Sequence, residues 1–311
     1  MSDVVCLGIF VADALGRPID TIPEKARLQL FDRMELHTGG CAVNTGIAMA
    51  KLGTDVGVIG KVGDDGFGDF LFKVLQSNGV DTSGVVRDSE TSTSFTFIMI
   101  SSDGERRFLH TMGANATFCI DDVNMDIVKK AKLLHVAGTY LMSTFDGEQT
   151  AAVLKQAKEA GVTTSLDTAF NDRLDDWLGV IKPSFPYIDY FLPYVEEAER
   201  ISGKKTPEDM AAFFRDNGCK NVGLKLGRGG CYVKTDDAEV KAPIYKVETI
   251  DSSGAGDCWI AGFLTGVING WDVERAARFG NASAAHCVQA IGCTAGVKSL
   301  EDILEFQKQN G

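Results

Sequence analysis

The residues best suited to chemistry lie at 251–257, where a run of small residues ends in a carboxylate. Two serines and then Gly-Ala-Gly stand between Asp251 and Asp257, strand-like residues come before them, and an apolar stretch with helical spacing follows. Small residues allow a tight turn whose successive N–H groups point into one concavity, and the start of a helix adds further donors. The run therefore predicts a site for an anion such as phosphate at residues 254–257.

Asp257 falls in the first turn of the helix that follows this anion site. On its own, an aspartate at that position would usually do no more than stabilise the helix dipole, by about 0.3–1 kcal/mol. A carboxylate beside a bound phosphate repels it, so simple anion binding does not explain the arrangement. The arrangement suits catalysis, because the carboxylate can take a proton from a hydroxyl that attacks the phosphate, and the nearby N–H groups keep it ionised.

A second polar group lies near the start of the chain. Gly39 and Gly40 precede a helical stretch, and paired glycines let a backbone approach a ligand closely. Asn44 offers both a donor and acceptors, which suit hydroxyl groups, although the motif alone could be a turn with a helix cap. Asp13, just after the first strand-like run, could be a loop aspartate, but ligands of open α/β sheets bind at the carboxyl ends of strands.

Alternating strands and helices are expected to position these residues. The apolar run Val4–Phe10 predicts a buried first strand, and strand-like and helix-like segments alternate over 133–226 at the spacing of βαβ units. This alternation indicates a mostly parallel sheet with helices on both faces. The segments at about 14–38 and 92–112 break the pattern, and the second contains an Asp-Gly hairpin signal. We interpret them as a small β-sheet inserted into a single domain, where it would act as a lid.

The composition argues against several classes of function. The chain has 311 residues and a formal net charge of -12, and an acidic surface repels both nucleic acids and anionic membranes. No apolar run is long enough to span a bilayer, and the N-terminus lacks the basic segment of a signal peptide. The eight cysteines are scattered without a Cys-x-x-Cys pair. We therefore expect a cytoplasmic protein with reduced thiols and no nucleic-acid or membrane partner.

Other nucleotide-binding motifs are missing. The stretch Gly53–Lys61 is too long for a P-loop, and Val62 stands where a serine or threonine would bind Mg²⁺. The first strand is not followed by Gly-x-Gly-x-x-Gly, which weakens a dinucleotide-dependent oxidoreductase as an alternative.

The ordered set of motifs resembles the ribokinase-like (PfkB) carbohydrate kinase family over nearly the whole chain. Gly39-Gly40-x-x-x-Asn44, with Leu52-Gly53 behind it, is similar to the family's N-terminal signature, and residues 251–257 are similar to its C-terminal signature. Shorter runs stand where such kinases carry similar ones, at residues 60–68, 113–115 and 226–230. The resemblance implies a ribokinase-like three-layer α/β/α sandwich with a mostly parallel central sheet and a small β-sheet lid.

The resemblance also implies an activity, namely ATP-dependent phosphorylation of a hydroxyl, expected to be primary, on a monosaccharide or sugar acid. Asp257 would be the base that removes the proton of that hydroxyl. The transferring phosphoryl group would be held by the backbone N–H groups of Gly254, Ala255, Gly256 and Asp257. The sugar hydroxyls would bind to Asp13, Gly39, Gly40 and Asn44. The nucleotide would bind beside Lys225, Gly227, Gly230 and Asn281.

Two cations follow from the same resemblance. Mg²⁺ would bridge the phosphates of ATP, and Glu197 would orient its water ligands, although Glu197 taken alone could equally be an exposed helix residue. Tyr194 stands where relatives often carry asparagine, which puts the surroundings of the metal in question. A monovalent cation such as K⁺ would bind near Asp251 and Ser253.

Three alternatives remain open from the sequence. A phosphosugar kinase of the same fold would need basic residues at the sugar end, where Lys61, Arg106 and Arg107 are the nearest candidates, although a solvated hairpin tip is the favoured interpretation of these residues. A nucleoside kinase could use the same fold. An alternative of another class is a non-catalytic regulator that binds sugar or nucleotide, against which the intact Asp257 speaks. The lids of such kinases often pair between subunits, so we expect a homodimer through the lid.

Overall fold

The computed structural model describes residues 2–310, which form two β-sheets surrounded by helices. The strands in chain order are β1 (Val4–Gly8), β2 (Val11–Arg17), β3 (Arg33–Gly39), β4 (Val56–Gly63), β5 (Asp81–Asp88), β6 (Phe95–Ile100), β7 (Arg106–Thr111), β8 (Leu133–Thr139), β9 (Thr163–Thr168), β10 (Tyr190–Phe191), β11 (Asn221–Lys225), β12 (Cys231–Lys234) and β13 (Glu239–Ala242). The α-helices are α1 (Cys41–Lys51), α2 (Gly66–Ser77), α3 (Met125–Val128), α4 (Glu148–Glu159), α5 (Trp177–Ile181), α6 (Val195–Ser202), α7 (Pro207–Asp216), α8 (Ala255–Ile268), α9 (Val273–Cys287) and α10 (Leu300–Asn310).

The large sheet has nine strands in the order β13-β12-β11-β10-β9-β8-β1-β4-β5. Its seven strands from β11 to β5 run parallel, and the edge pair β12 and β13 is joined by antiparallel pairings. The carboxyl ends of the parallel strands consequently share one edge of the sheet, where open α/β sheets bind their ligands.

Helices cover both faces of the large sheet. Strand β1 is buried throughout, and because side chains alternate along a strand, Val4 and Cys6 enter one hydrophobic cluster while Val5 and Leu7 enter the other. The first cluster is completed by α1, α2, α8, α9 and α10, and the second by α3 to α7. This arrangement confirms the predicted α/β fold with a mostly parallel central sheet.

The small sheet has four strands in the order β3-β2-β6-β7. Strands β2 and β6 pair in parallel, and both outer strands pair antiparallel. By register, Asp13, His37, Thr96 and Arg106 share one face of this sheet, which we call its inner face. The outer face carries the alternating residues, and several of its apolar side chains are exposed.

The chain enters the small sheet earlier than the sequence indicated. The inserted part was expected to begin at about residue 14, with Asp13 in a loop after the first strand. Residues 11–17 instead form β2, because they pair with both β3 and β6. Asp13 therefore lies on a strand of the small sheet. Among residues 2–310, no helix has the length and apolar character needed to cross a bilayer.

Candidate active site

The turn that leads into α8 has the geometry of an anion site. Gly254 caps the helix with a left-handed φ of 75°, and a Cβ there would overlap the carbonyl oxygen of Cys293, so the turn requires glycine. Among residues 2–310, the N–H groups of Gly256 and Asp257 meet no protein acceptor, which is usual for the first turn of a helix. These N–H groups and the positive end of the helix dipole would attract an anion.

Asp257 lies in this first turn, and a hydrogen bond from a residue of α1 holds its side chain. The Nδ2 atom of Asn44 donates a hydrogen bond to Oδ2 of Asp257 at 2.8 Å. Burial raises the pKa of Asp257 to about 6, and the hydrogen bond from Asn44 opposes that shift. The carboxylate is thus mostly ionised at neutral pH but is a better base than an ordinary aspartate.

Asn44 reaches Asp257 because α1 begins close to the end of β1. Gly40 caps α1 with a φ of 90°, and a Cβ at this position would overlap the carbonyl oxygen of Ile9. Helices α1 and α8 then pack side by side. The Oδ1 atom of buried Asn44 has no hydrogen-bond partner among the described residues. That orphaned acceptor is suited to a ligand hydroxyl next to the carboxylate.

The other carboxylate predicted to bind sugar, Asp13, projects from the inner face of the small sheet. Burial raises its pKa to about 6, although a hydrogen bond from Thr96 and the nearby His37 oppose the shift. A Cβ on Gly39 would overlap the Asp13 carboxylate, so these two residues are in contact. Burial, and then Asp257 and Asp13, raise the pKa of the Cys293 thiol. Both carboxylates therefore lie near one thiol, Asp13 on the small sheet and Asp257 on α8.

A buried ion pair stands beside the anion site. Lys225 ends β11, and its Nζ lies 2.7 Å from Oδ1 of Asp167 at the end of β9. A Cβ on Gly256 would lie 3.6 Å from this Nζ, so the ammonium group contacts the first turn of α8. Burial opposes the charge of Lys225, but Asp167 and Glu197 outweigh it and hold the pKa above its usual value.

Sequence reasoning placed Lys225 in the nucleotide site but missed Asp167. The available signal was an aspartate at the carboxyl end of a strand-like run, the same signal that drew attention to Asp13. Its importance depends on its distance from Lys225, which the order of the strands determines.

Glu197 was proposed as a magnesium residue or, alternatively, as an exposed helix residue. The structure buries it in the first turn of α6, where Oε2 accepts hydrogen bonds from Thr168 Oγ1 at 2.7 Å and from the N–H of Tyr194 at 2.9 Å. Burial, with the nearby Asp167, raises the pKa of Glu197 to about 7. Its Oε1 accepts no hydrogen bond from residues 2–310 and could hold a metal-bound water.

The residues predicted to border the nucleotide follow β11. Gly227 and Gly230 flank a short 3-10 turn next to Lys225. Asn281 on α9 is predicted to lie beside the nucleotide. Its Nδ2 donates to the carbonyls of Ala242, the last residue of β13, and Pro243, and its Oδ1 accepts from Trp259 Nε1 at 2.9 Å. Asn281 thereby holds the loop after β13.

The residues predicted to hold a monovalent cation meet an arginine instead. Nη1 of Arg106, on the inner face of the small sheet, lies 3.0 Å from Oδ1 of Asp251 and 2.8 Å from Oγ of Ser253. The carbonyl oxygens of Ser253 and Cys293 accept hydrogen bonds from thiols of nearby cysteines at 3.2–3.4 Å. The donor set does not fit a free monovalent cation, because a guanidinium group and thiols already use its oxygens. Arg106 is also no solvated hairpin residue.

Comparison with known proteins relates the whole chain to one family. The sequence profile described as pfkB family carbohydrate kinase matches residues 1–300. The 5-dehydro-2-deoxygluconokinase of Clostridium perfringens is 29% identical over 287 residues, which cover 88% of this chain and 84% of that protein. Fructokinase-2 of Zea mays is 31% identical over 315 residues, covering 92% and 91%. Among solved structures, Arabidopsis thaliana ribokinase complexed with ribose and ATP superposes with a TM-score of 0.86 at 24% identity, covering 99% of each chain.

Proposed function

Since the chain belongs to the pfkB family of carbohydrate kinases and is an ATP-dependent sugar kinase, we propose that it phosphorylates a primary hydroxyl of a free monosaccharide or sugar acid, with Asp257 as the base. One observation carries the assignment of the site. A carboxylate with a pKa of about 6 stands in the same helical turn as N–H groups that meet no acceptor in the described part of the chain. A general base and an anion site are thereby adjacent, as phosphoryl transfer to an alcohol requires.

The proposed reaction uses two parts of this turn and the neighbouring ammonium group of Lys225. The acceptor hydroxyl lies at Asp257, which takes its proton as the oxygen attacks the γ-phosphorus of ATP. The bond from that phosphorus to the bridging oxygen breaks, and ADP leaves. The N–H groups of residues 254–257 stabilise the charge that spreads over the phosphoryl oxygens, and the ammonium group of Lys225 adds a positive charge beside them.

Mg²⁺ would neutralise the phosphates of ATP when bound. Groups of three or more His, Cys, Asp or Glu able to hold a metal are absent from residues 2–310, so the ion would depend largely on phosphate oxygens. Glu197 fits a role through water, since it is buried at the sheet edge and one of its carboxylate oxygens has no hydrogen-bond partner among the residues that the structure describes. Tyr194 contributes only its backbone N–H to Glu197, so its identity leaves this carboxylate in place.

The small sheet would be the lid that closes on the sugar. Its inner face carries Asp13, which lies against Gly39, and the sugar would lie between Asp13 and the pair formed by Asn44 and Asp257. Sugar hydroxyls would bridge these polar groups, as their donors and acceptors match. Closure would also exclude water from the anion site, where bound ATP would otherwise be hydrolysed.

The basic residues that could bind the phosphate of a phosphosugar already have other partners, which favours a free sugar as the substrate. Lys61 is held by two carboxylates at 3.2 and 3.4 Å, and Arg106 is bound to Asp251 and Ser253. Arg107 lies on the outer face of the small sheet and donates to a backbone carbonyl. All three basic residues that could bind the phosphate of a phosphosugar therefore bind other groups of the protein. The names of the two curated relatives denote a keto sugar acid and a neutral ketose as substrates, and both classes carry hydroxyl groups that Asp13, Asn44 and Asp257 could bind.

The decisive experiment is an ADP-release assay over a panel of acceptors. The panel contains free hexoses and pentoses, sugar acids, phosphosugars and nucleosides, and the Asp257→Asn variant supplies the background. We expect a free sugar or sugar acid to raise ADP release about 100-fold or more above that background. Turnover confined to phosphosugars or nucleosides would refute the substrate class. Sugar binding without any turnover would favour the non-catalytic regulator.

We further propose a cytoplasmic homodimer that pairs through the outer face of the small sheet. All eight cysteines are free thiols, as in proteins of a reducing compartment. Large apolar side chains are exposed on the outer face and its connecting segment, namely Leu28, Leu30, Met34, Leu36 and Leu109. An exposed apolar surface of this kind commonly marks a protein interface. The net charge of -12 argues against nucleic acids and anionic membranes as partners.

A further inference from the structure

Arg106 connects the small sheet to the turn that carries the anion site. It projects from β7, and its Nη1 donates to both Oδ1 of Asp251 and Oγ of Ser253. The carboxylate of Asp251 in turn accepts hydrogen bonds from the N–H groups of Ser253 at 2.9 Å and Gly292 at 3.0 Å. Because Ser253 directly precedes the helix cap Gly254, a displacement of this cluster would shift the N–H groups at the start of α8.

Arg106 also belongs to the same rigid element as the proposed sugar ligand Asp13. Arg106 pairs with Ile100 on β6, and β6 pairs along its length with β2, which carries Asp13. Both side chains lie on the inner face, as their registers show. A movement of the small sheet that displaces Asp13 would therefore also displace the guanidinium group from Asp251.

The charge of Arg106 is matched to a buried carboxylate. Asp251 is only 2% exposed, and a buried carboxylate needs donors or a positive partner to stay ionised. Burial raises the pKa of Asp251, but the N–H groups of Gly292 and Ser253 and the Arg106 guanidinium together bring it below its usual value. Without Arg106, the buried carboxylate of Asp251 would lack a cationic partner.

We propose that the guanidinium group of Arg106 takes the place of a monovalent cation at residues 251–253, and that it couples closure of the small sheet to alignment of the anion site. The inference rests on the proposed function for its meaning in catalysis. It makes Arg106 a positioning residue that touches neither ATP nor sugar. It also makes the kinase independent of K⁺, in contrast to the expectation from the family resemblance.

The test compares Arg106→Gln with Arg107→Gln, a matched control from the opposite face of the same strand. The kinase is assayed with K⁺ and with K⁺ replaced by tetramethylammonium. We expect the wild type and Arg107→Gln to keep turnover within about twofold on this replacement. Arg106→Gln should lose about 10- to 100-fold in kcat, the usual cost of misplacing a reacting group by about 1 Å, while KM for ATP changes by less than about threefold. K⁺ should restore part of the loss in Arg106→Gln.

Hydrogen exchange of the 251–257 backbone supplies a readout that does not depend on activity. The Arg106→Gln variant should exchange these amides at least about tenfold faster than either the wild type or Arg107→Gln, because the turn loses its tie to the small sheet. Unchanged exchange together with unchanged kcat, or a wild type that needs K⁺, would overturn the proposal. If the wild type phosphorylates no acceptor at all, the proposed function fails, and the exchange comparison still decides whether Arg106 orders the turn.

Discussion

Asp257 has its basicity because two opposing effects act on one carboxylate. Burial raises its pKa to about 6, and the hydrogen bonds from Asn44 and Cys41 limit the rise. A carboxylate with an ordinary pKa would be a weaker base, and one with a much higher pKa would be protonated at neutral pH. The 2.8 Å contact with Asn44 therefore tunes the base as well as orienting it.

Replacing the base should abolish turnover and spare nucleotide binding. Asp257→Asn keeps the shape of the side chain but cannot accept a proton, so we expect kcat to fall about 10²- to 10⁴-fold. The dissociation constant for ATP, measured by calorimetry, should change by less than about threefold. Glu248→Gln, an exposed residue near the same run, serves as the control and should behave like the wild type. Near-normal turnover by Asp257→Asn would rule out its role as the base.

The pH profile should report the same carboxylate. Since the protonated form of Asp257 cannot accept a proton, kcat/KM should fall as the pH drops through about 6 and reach a plateau above it. Asn44 stabilises the ionised form, so Asn44→Ala should raise the pKa and move the acidic limb to higher pH. Initial rates between pH 5 and 8 at saturating ATP provide the measurement. An acidic limb that stays in place or moves to lower pH in Asn44→Ala would contradict this assignment.

At the scale of elements, strand order brings together residues that are far apart in the chain. Strands β9 and β11 flank the short strand β10, and Asp167 and Lys225 meet across its end. Glu197 from the following α6 approaches the same pair, which keeps Lys225 charged. This buried group of charges places a cation against the start of α8 without a metal.

Breaking the pair from one side should be costly to stability. Lys225→Met leaves two buried carboxylates without their cation, so we expect a loss of about 3–5 kcal/mol in the free energy of unfolding. The double variant Asp167→Asn with Lys225→Met should lose less than the sum of the two single changes. Lys234→Met removes a solvent-exposed ion pair with Glu239 on β12 and β13 and should cost less than about 1 kcal/mol. Strictly additive losses in urea denaturation would show that Asp167 and Lys225 do not interact.

The sequence predicted most elements because hydrophobic periodicity and turn chemistry are local. The strand predicted at residues 4–10 overlaps β1, and the alternation of strands and helices predicted over 133–226 is present from β8 to β11. What depends on contacts between distant segments escaped prediction. The ion pair of Lys225 with Asp167 depends on the order of the strands. The hydrogen bonds of Asn281 depend on the path of the loop after β13. The contact of Arg106 with Asp251 depends on how the small sheet lies against the turn before α8.

At the scale of the whole molecule, the two sheets contribute different parts of the candidate site. The large sheet supplies the base, the anion site and the buried cation at one edge, and the small sheet supplies Asp13 and Arg106 from its inner face. The outer face of the small sheet carries exposed apolar side chains although the chain has a net charge of -12. A second copy of the small sheet would cover that face.

Dimerisation through this face can be tested by charge insertion. Met34 is 63% exposed on the outer face, so Met34→Glu should place two like charges near the proposed interface and give a monomer. Light scattering coupled to gel filtration at micromolar concentration should find a dimer for the wild type. The control Ile244→Glu, at an exposed apolar residue after β13, should leave the dimer intact. A monomeric wild type would reject the proposed interface.

The most direct test of the central claim is a crystal structure with a non-hydrolysable ATP analogue, Mg²⁺ and the acceptor identified by the ADP-release assay. We predict that the terminal phosphate accepts hydrogen bonds from the N–H groups of residues 254–257, and that the acceptor hydroxyl lies about 3 Å from the carboxylate of Asp257. A terminal phosphate bound away from this turn, or an acceptor hydroxyl out of reach of Asp257, would contradict the proposed mechanism.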